Sequence, residues 1–534
     1  MGKLHRRLFT GAMIGAAGLG MAVATTAPAA AQGAPQRGGT AIFSIGQDPL
    51  TVNPGVSTNP PDRLVGCILY EGLVQVAPDY KIMPLLAKSW TVSPDGLTYS
   101  FDLAKAEWHD GKPVTSADVK YSLLEVDSKL SSTFAPAGKV ISAIETPAPD
   151  KVVIKLKSGF GPFMLSLACG GGGVILPGHL FEGSDPMKNP ASSTAAVGTG
   201  PFKISEWKRG DYVRLAKNPK YHIEGKPYLD EVVAKVITQA SSRLQALQAG
   251  EIDLVQFFPG SDQATVRSNP KLKLMTSDNA PGITIATINT TKKPFDDKRI
   301  RQALFMGMDR DYLIKNAFFG WGSVGVMPFH SEIAWAADPS IDFNKMYPFD
   351  AAKANALLDA AGAKRGADGK RFTVRNLIFA TQYPEFKQVS AALKSMYQAI
   401  GVDLETEALE DATLFQRIYK DRDFDMTIVS YSSYFDPALG LARAFVTSSI
   451  GQVYGNGSIY SNPTVDALFQ KAEAGTTNEE RGKSYKEVQA ILATDLPSRT
   501  FRQYRNIDGA SQRLQGVWGT VQGNGDWASA WISK

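Results

Sequence analysis

The 534-residue sequence is poor in the side chains that build metal and nucleophile sites, with only two cysteines and five histidines. Beyond residue 31 the histidines are His109, His179, His222 and His330, and none lies within five residues of another. Zinc sites usually show closely spaced ligand pairs, so this spacing argues against a metal centre. The sequence also lacks a G-x-S-x-G nucleophile motif and suggests no Cys-His pair. We therefore expect no cofactor, no metal and no catalytic residue.

Excess charge and long apolar runs are scarce as well. Removing residues 1–31 takes away Lys3, Arg6 and Arg7 and no acidic residue, so the formal charge falls from +5 to +2. Such a small excess gives no reason to expect a nucleic-acid partner or an anionic membrane surface. The apolar run from Gly11 to Ala24 is shorter than the ~20 residues that a membrane helix needs.

The first 31 residues instead have the pattern of an export signal. Arg6-Arg7 precedes the apolar run, and Ala29–Ala31 forms a small-residue cleavage site before Gln32. We expect residues 1–31 to be a signal peptide that is cleaved near Ala31. No cysteine lies near this site, so the mature protein is expected to be soluble and periplasmic. The segment 5–10 also resembles a twin-arginine signal, although general secretory signals often carry paired basic residues, and both routes stay open.

Cys67 and Cys169 allow two readings. In an oxidising periplasm they can form one disulfide, or they can be two buried thiols. We expect buried thiols, because one bridge adds little to so long a chain.

The remaining chain alternates between strand and helix patterns. Apolar residues alternate in Lys151–Lys157, which predicts a strand, and Phe372–Phe379 predicts another. Asp350 precedes a helical pattern that ends before Gly362, as helix caps do. Gly320–Gly325 matches the dinucleotide pattern G-x-G-x-x-G, but no strand precedes it and Met327-Pro328 follows, so we interpret it as a loop. The chain is too long for one core, so an α/β protein of two or more lobes is predicted.

Several blocks of the sequence closely resemble one family. The first block runs from Pro84 to Val119 and contains Ser93-Pro-Asp-Gly and Trp108-His-Asp-Gly. Further blocks follow in order at Gly198–Phe202, Lys293–Ala303 and Tyr347–Asp350. Together they resemble the family 5 extracellular solute-binding proteins, which are the receptor components of peptide and nickel ABC importers.

The resemblance implies a two-lobed periplasmic binding protein fold of the cluster C type with an accessory subdomain. Lobe I would comprise residues 36–75, 200–290 and 505–534, the accessory subdomain 76–199, and lobe II 291–504. The chain would then cross between the lobes near 290 and 505. The implied function is capture of a small organic solute, peptide-like or otherwise amphiphilic, and its delivery to an ABC permease in the inner membrane. We expect a monomer that is not an enzyme; the alternative is an exported α/β hydrolase-like enzyme with an unrecognised active site.

The segment Ser430–Pro437 is the first candidate for ligand binding. It follows an apolar strand directly, and open α/β sheets bind ligands at the carboxyl ends of strands. Its aromatic and hydroxyl side chains suit a mostly apolar pocket with a few polar groups, so Tyr431, Ser433, Tyr434 and Asp436 are predicted to contact the ligand. In peptide-binding relatives an aspartate three residues before the Asp/Glu-Pro pair holds the ammonium group. Ser433 stands there in this chain, which puts recognition of free-amine dipeptides in doubt.

Some of these predictions have structural alternatives. Asp436 is either a ligand contact or the cap of a helix that starts at Pro437. Arg443 is either a surface residue or a clamp for a carboxylate. The loop Tyr454–Tyr460 is predicted to place Asn456 or Tyr460 over the same cleft, and the loop Gln47–Pro54 is predicted to form another wall.

Overall fold

The computed structural model describes residues 34–256, 258, 260–276, 281–380, 383, 385–433, 436–518 and 525–534. In chain order its strands are β1 Thr40–Ile45, β2 Val74–Val76, β3 Ile82–Pro84, β4 Ala87–Val92, β5 Thr98–Leu103, β6 Ile141–Ala148, β7 Lys151–Leu156, β8 Phe202–Lys208, β9 Tyr212–Lys217, β10 Glu231–Val236, β11 Leu254–Val255, β12 Leu272–Thr276, β13 Gly282–Ile288, β14 Ser323–Val324, β15 Phe372–Phe379, β16 Val402–Leu409, β17 Met426–Ser432, β18 Ser498–Tyr504, β19 Ile507–Ser511, β20 Leu514–Gln515 and β21 Trp531–Ile532.

The helices connect these strands. They are α1 Pro60–Leu69, α2 Ser116–Tyr121, α3 Ser128–Leu130, α4 Ala135–Val140, α5 Phe163–Ser166, α6 Gly178–Phe181, α7 Ala240–Ala249, α8 Gln263–Ser268, α9 Lys298–Met306, α10 Arg310–Tyr312, α11 Phe343–Met346, α12 Ala351–Ala360, α13 Glu385–Ala399, α14 Asp411–Phe415, α15 Pro437–Gly440, α16 Pro463–Ala474 and α17 Asn478–Asp495. The predicted cap at Asp350 is present, since its side chain accepts a hydrogen bond from the amide of Lys353. None of the helices in the described ranges is long and apolar enough to span a membrane.

A first sheet contains seven strands in the order β12-β19-β11-β1-β10-β9-β8. β1 pairs in parallel with both β10 and β11, and the other pairs are antiparallel. Phe43 on β1, Val232 on β10 and Leu254 on β11 are buried in a core beneath this sheet. The sheet is therefore mixed, as expected for an α/β architecture.

A second sheet contains six strands in the order β14-β18-β13-β17-β15-β16. β15 is parallel to β16 and β17, whereas β13 is antiparallel to β17 and β18. Phe386, Val389 and Leu393 of α13 are buried in the core of this sheet. Their spacing of three or four residues places them on one face of the helix.

A third, antiparallel sheet has the order β4-β5-β7-β6. Tyr99, Phe101 and Leu103 are buried while their neighbours on β5 are not, which is the period of a strand with one buried face. β7 shows the same alternation, as the sequence predicts. These strands pack with α2 around a separate core.

Two short links join the first and second sheets. One lies between Thr276 on β12 and Gly282 on β13, and the other consists of residues 505–506 between β18 and β19. The predicted position of the first crossing, near residue 290, is too late, because Gly282–Ile288 already pairs within the second sheet. The division into lobes and an accessory subdomain stays a prediction.

Cys67 and Cys169 form a disulfide, with their Cα atoms 6.0 Å apart. The expectation of two buried thiols is therefore wrong. Cys67 lies on α1, and Cys169 lies in a buried turn 102 residues later, so the bridge joins α1 to the segment that follows α5.

Candidate functional site

Three strands of the second sheet end at one edge, and this edge lies beside the first sheet. β15, β17 and β18 run in the same direction, so Phe379, Ser432 and Tyr504 at their carboxyl ends share an edge. Only two residues separate Tyr504 from Ile507 on the first sheet, a separation of at most about 11 Å. Ligands of open α/β sheets bind at such carboxyl edges.

Tyr431 and Arg443 meet near this edge. The guanidinium carbon of Arg443 lies 5.6 Å from the ring centre of Tyr431 and 5.9 Å from that of Tyr454. Its Nε donates to the carbonyl of Gly440 at 3.3 Å, and no carboxylate within the described part of the chain pairs with it. Burial raises the pKa of Tyr431 to about 12, although the charge of Arg443 acts in the opposite direction. A half-buried cation thus lies between two aromatic rings without a counter-ion.

Further aromatic rings surround this pair. The ring of Tyr454 is 5.1 Å from Phe415 and 6.5 Å from Phe379, which is the last residue of β15. Burial also raises the pKa of Tyr419, which hydrogen-bonds Tyr431. The sequence analysis did not include Phe379, Phe415 and Tyr419 in the site. The position of Phe379 at the end of a predicted strand was the available signal.

Ser433 lies at the passage between the two sheets. It is fully buried, and its amide donates to the carbonyl of Pro281 at 3.0 Å. Its hydroxyl has no hydrogen-bond partner among the described residues. A buried hydroxyl without a partner is uncommon, and the ligand contact at Ser433 stays a prediction. The predicted neighbour Tyr434 lies outside the described residues.

Asp436 is held by contacts within the protein fold. It caps α15 by accepting from the amide of Ala438, and its two carboxylate oxygens pair with Arg481 at 2.6 and 2.7 Å. Both side chains are 2% exposed. The capping alternative is therefore confirmed for Asp436, whereas its contact with a ligand stays a prediction.

Asn456 and Tyr460 are likewise held by internal contacts. The side-chain amide of Asn456 donates to the carbonyls of Phe445 and Tyr460, and the residue is 1% exposed. The Tyr460 hydroxyl donates to Asp495 at 2.7 Å, which places it beside α17. Their predicted position over the cleft is not supported, because these contacts use the polar atoms within the fold.

The loop Gln47–Pro54 is anchored to the first sheet. Asp48 accepts from the indole of Trp207 at 3.1 Å and from Arg209 at 3.3 Å, and Arg209 stacks 3.7 Å above the Trp207 ring. Leu50 is 78% exposed at the tip of this loop. A single exposed leucine is common on protein surfaces, and the role of this loop as a cleft wall stays a prediction.

The other chemical motifs have structural roles. Gly320–Gly325 forms a turn and the short strand β14, so the helix required by a dinucleotide site does not follow it. His109 hydrogen-bonds the backbone of Gly198 and Gly200. Within the described ranges, no three His, Cys, Asp or Glu side chains are grouped so that they could hold a metal ion.

Comparison with known proteins agrees with this architecture. Residues 81–452 match the model of the bacterial extracellular solute-binding proteins, family 5. The chain is 28% identical to the oligopeptide-binding protein AppA of Bacillus subtilis, across 89% of this chain and 88% of AppA. It is also 28% identical to the glutathione-binding protein GsiB of Pectobacterium atrosepticum, across 90% and 91% of the two chains.

A solved structure extends the similarity to the fold. The binding protein AgaA of A. tumefaciens R10, determined with agropinic acid, superposes with a TM-score of 0.76 at 27% identity. The match covers 93% of this chain and 99% of AgaA. The family match and the two-lobed α/β fold both agree with the family that the sequence blocks resemble. The chain therefore belongs to the family 5 bacterial extracellular solute-binding proteins and is a substrate-binding component of an ABC importer.

Proposed function

We propose that this protein captures a small organic solute that carries a carboxylate, between its first and second sheets, and delivers it to an ABC permease in the inner membrane. The solute is peptide-like or another amphiphilic compound. Agropinic acid, the ligand in the AgaA structure, and glutathione, after which the GsiB protein is named, both belong to this chemical range.

The observation that carries the proposal is the charge of Arg443 at the carboxyl edge of β17, which no carboxylate of the described residues pairs. An arginine fork matches a carboxylate with two parallel hydrogen bonds. The rings of Tyr431 and Tyr454 flank the cation and offer apolar contact to the rest of a ligand. Ser433 adds a buried hydroxyl that has no hydrogen-bond partner among the described residues. We therefore retain Tyr431, Ser433 and Arg443 as the proposed ligand contacts.

The two links between the sheets suit a hinged receptor. Lobe I is proposed to be built on the first sheet and lobe II on the second, with rotation about the two crossings of the chain between these sheets. Hinge closure around a ligand is a recurrent solution in periplasmic binding proteins. We also propose that the protein acts as a monomer in the periplasm after removal of residues 1–31.

Mass spectrometry of the solute released from the purified protein tests the ligand class. We expect a compound with at least one carboxylate. Calorimetry with that compound should then show a loss of affinity of about ten- to a hundred-fold in Arg443→Gln, because a hydrogen bond to a charged group contributes about 1.5–3 kcal/mol. Arg299→Gln, which changes an exposed arginine paired with Asp297, is the matched control. A neutral ligand, or equal affinity in both variants, would contradict the proposal.

A further inference from the structure

Arg502 is a buried cation that the described residues do not neutralise. It lies on β18, is 1% exposed, and forms no ion pair with a described carboxylate. Its Nε donates to the carbonyl of Trp321 at 3.0 Å, whereas its Nη2 has no hydrogen-bond partner. Burying a charge without a partner is costly, so this nitrogen requires an explanation.

Three aromatic rings enclose the guanidinium group. Its central carbon lies 4.0 Å from the ring centre of Phe318, 4.1 Å from Trp321 and 4.3 Å from Tyr504. The faces of these rings attract a cation. They do not supply the in-plane oxygen acceptors that a guanidinium fork matches, so the cage stabilises the charge while Nη2 stays buried without a hydrogen-bond partner among the described residues.

Two hydroxyl groups belong to the same row of the sheet. Arg502 pairs with Thr284 on β13, and Thr284 pairs with Ser430 on β17. Residues directly opposite one another on antiparallel strands project to the same face. The hydroxyls of Thr284 and Ser430 are 3.0 Å apart, and either can donate to the other. A row of one cation and two hydroxyls therefore runs across three strands.

This row lies on the opposite face from the Arg443 cluster. Tyr431 follows Ser430 in β17, and successive side chains of a strand alternate between faces. Tyr504, at the end of β18, is two residues beyond Arg502 and covers Gly282, where an added Cβ would come within 2.6 Å of the tyrosine ring. The row thus lies two residues inside the edge at which the two sheets meet.

We propose that Arg502, Thr284 and Ser430 form a second anion-binding site, and that this site takes a carboxylate group. A carboxylate has acceptors for both the unpartnered guanidinium nitrogen and the hydroxyl donors. Burial lowers the pKa of Arg502 to about 10, so the side chain stays charged at neutral pH. The charge of Glu385 attracts Arg502, but no ion pair joins the two described side chains, and burial raises the pKa of Glu385.

Acetate is the probe, with acetamide as its neutral analogue. Ligand-free protein is heated in increasing acetate or acetamide at fixed ionic strength. We expect acetate to raise Tm in a saturable manner, by about 2 °C at ten times its Kd, and acetamide to leave Tm unchanged. No difference between acetate and acetamide would overturn the proposal. This readout does not require the transported solute to carry a carboxylate, so it is independent of the function proposed for Arg443.

Substitutions test which residues are responsible for the effect of acetate on Tm. Arg502→Met should abolish the effect of acetate, and Thr284→Val, which keeps the shape of the side chain, should raise the half-saturating acetate concentration about five-fold. Arg299→Met is a surface control that should respond as the wild type does. If Arg502→Met does not fold, Thr284→Val carries the test. A full response in Thr284→Val, or a response lost only in Arg443→Met, would overturn the assignment.

Discussion

Asp436 and Arg481 are 45 residues apart in the chain and form a two-pronged ion pair that is almost fully buried. Nε of Arg481 also donates to the carbonyl of Ala472 at 2.7 Å. An added Cβ on Gly161 would come within 2.3 Å of this guanidinium group. The segment that follows β7 of the third sheet therefore packs directly against Arg481. The pair therefore joins the end of β17, α17 and the segment after β7.

Removing one partner of this pair should destabilise the protein strongly. We expect Arg481→Met to lower the free energy of unfolding by about 3–5 kcal/mol, because the Asp436 carboxylate would remain buried without its cation. Urea unfolding measures the change. The control is Lys483→Met, because Lys483 pairs with the exposed Glu479. This substitution should lower the free energy of unfolding by less than about 1 kcal/mol. Equal losses in both variants would contradict the expectation.

The disulfide should contribute measurably to stability. Cross-linking two residues 102 positions apart restricts the unfolded chain, and such bridges typically contribute about 2–4 kcal/mol. The double variant Cys67→Ala/Cys169→Ala should unfold at lower urea than the wild type. A reducing agent should shift the wild type in the same direction and leave the double variant unchanged. Detection of two free thiols in the unreduced, denatured wild type would refute the bridge.

His222 should make stability depend on pH near neutrality. Burial lowers the pKa of His222, but the charge and hydrogen bond of Glu71 outweigh it, so the net pKa is raised above its ordinary 6.5. A raised pKa stabilises the fold fully below about pH 6.5, and this stabilisation is lost as pH rises through the folded-state value. His222→Gln should therefore lower the free energy of unfolding more at pH 6 than at pH 8, as measured by urea unfolding. Glu71→Gln should show the same trend. A loss of unfolding free energy that increases with pH in either variant would exclude the pairing of His222 with Glu71.

Ordinary dipeptides should bind weakly. Ser433 carries no charge, and Asp436 cannot replace it because Arg481 occupies both of its oxygens. An ammonium group left unpaired in a closed cleft costs about 3–5 kcal/mol, or roughly a hundred- to several-thousand-fold in affinity. In calorimetry with Ala-Ala, Ser433→Asp should bind more tightly than the wild type, and the uncharged control Ser433→Asn should not. Micromolar binding of Ala-Ala by the wild type would disprove the prediction.

Export should leave a mature chain that begins near Gln32. The small residues Ala29–Ala31 follow an apolar run, and no cysteine lies nearby to accept a lipid. N-terminal sequencing of periplasmic protein measures the start directly. Protein from that compartment that still begins at Met1 would show that cleavage does not occur.

The sequence predicted features that depend on neighbouring residues. Strand β15 and the cap at Asp350 follow from local alternation and turn chemistry, and the structure confirms both. For Asp436 the local pattern left two alternatives open, and the structure shows the cap. Contacts between distant segments were not predictable in this way. The partner of Asp436 is in another helix, and the two cysteines are 102 residues apart.

The burial of Arg502 is a second feature that local sequence patterns do not predict. In the strand sequence Ser498–Tyr504, its charge is typical of an exposed position. It is buried because Phe318 and Trp321, from a distant loop, cover it. Asn456 is a similar case, since a polar residue in a glycine-rich loop is usually exposed, whereas here it holds three backbone carbonyls together.

The position of β19 determines when this protein can complete its fold. β19 pairs with both β11 and β12, so residues near the end of the chain occupy the interior of a sheet whose first strand starts at Thr40. A nascent chain that has already produced β1 and β10 still lacks the strand that connects β11 to β12. The first sheet therefore closes only after the second sheet has been synthesised, and a chain truncated before Ile507 would expose two strand edges that invite aggregation.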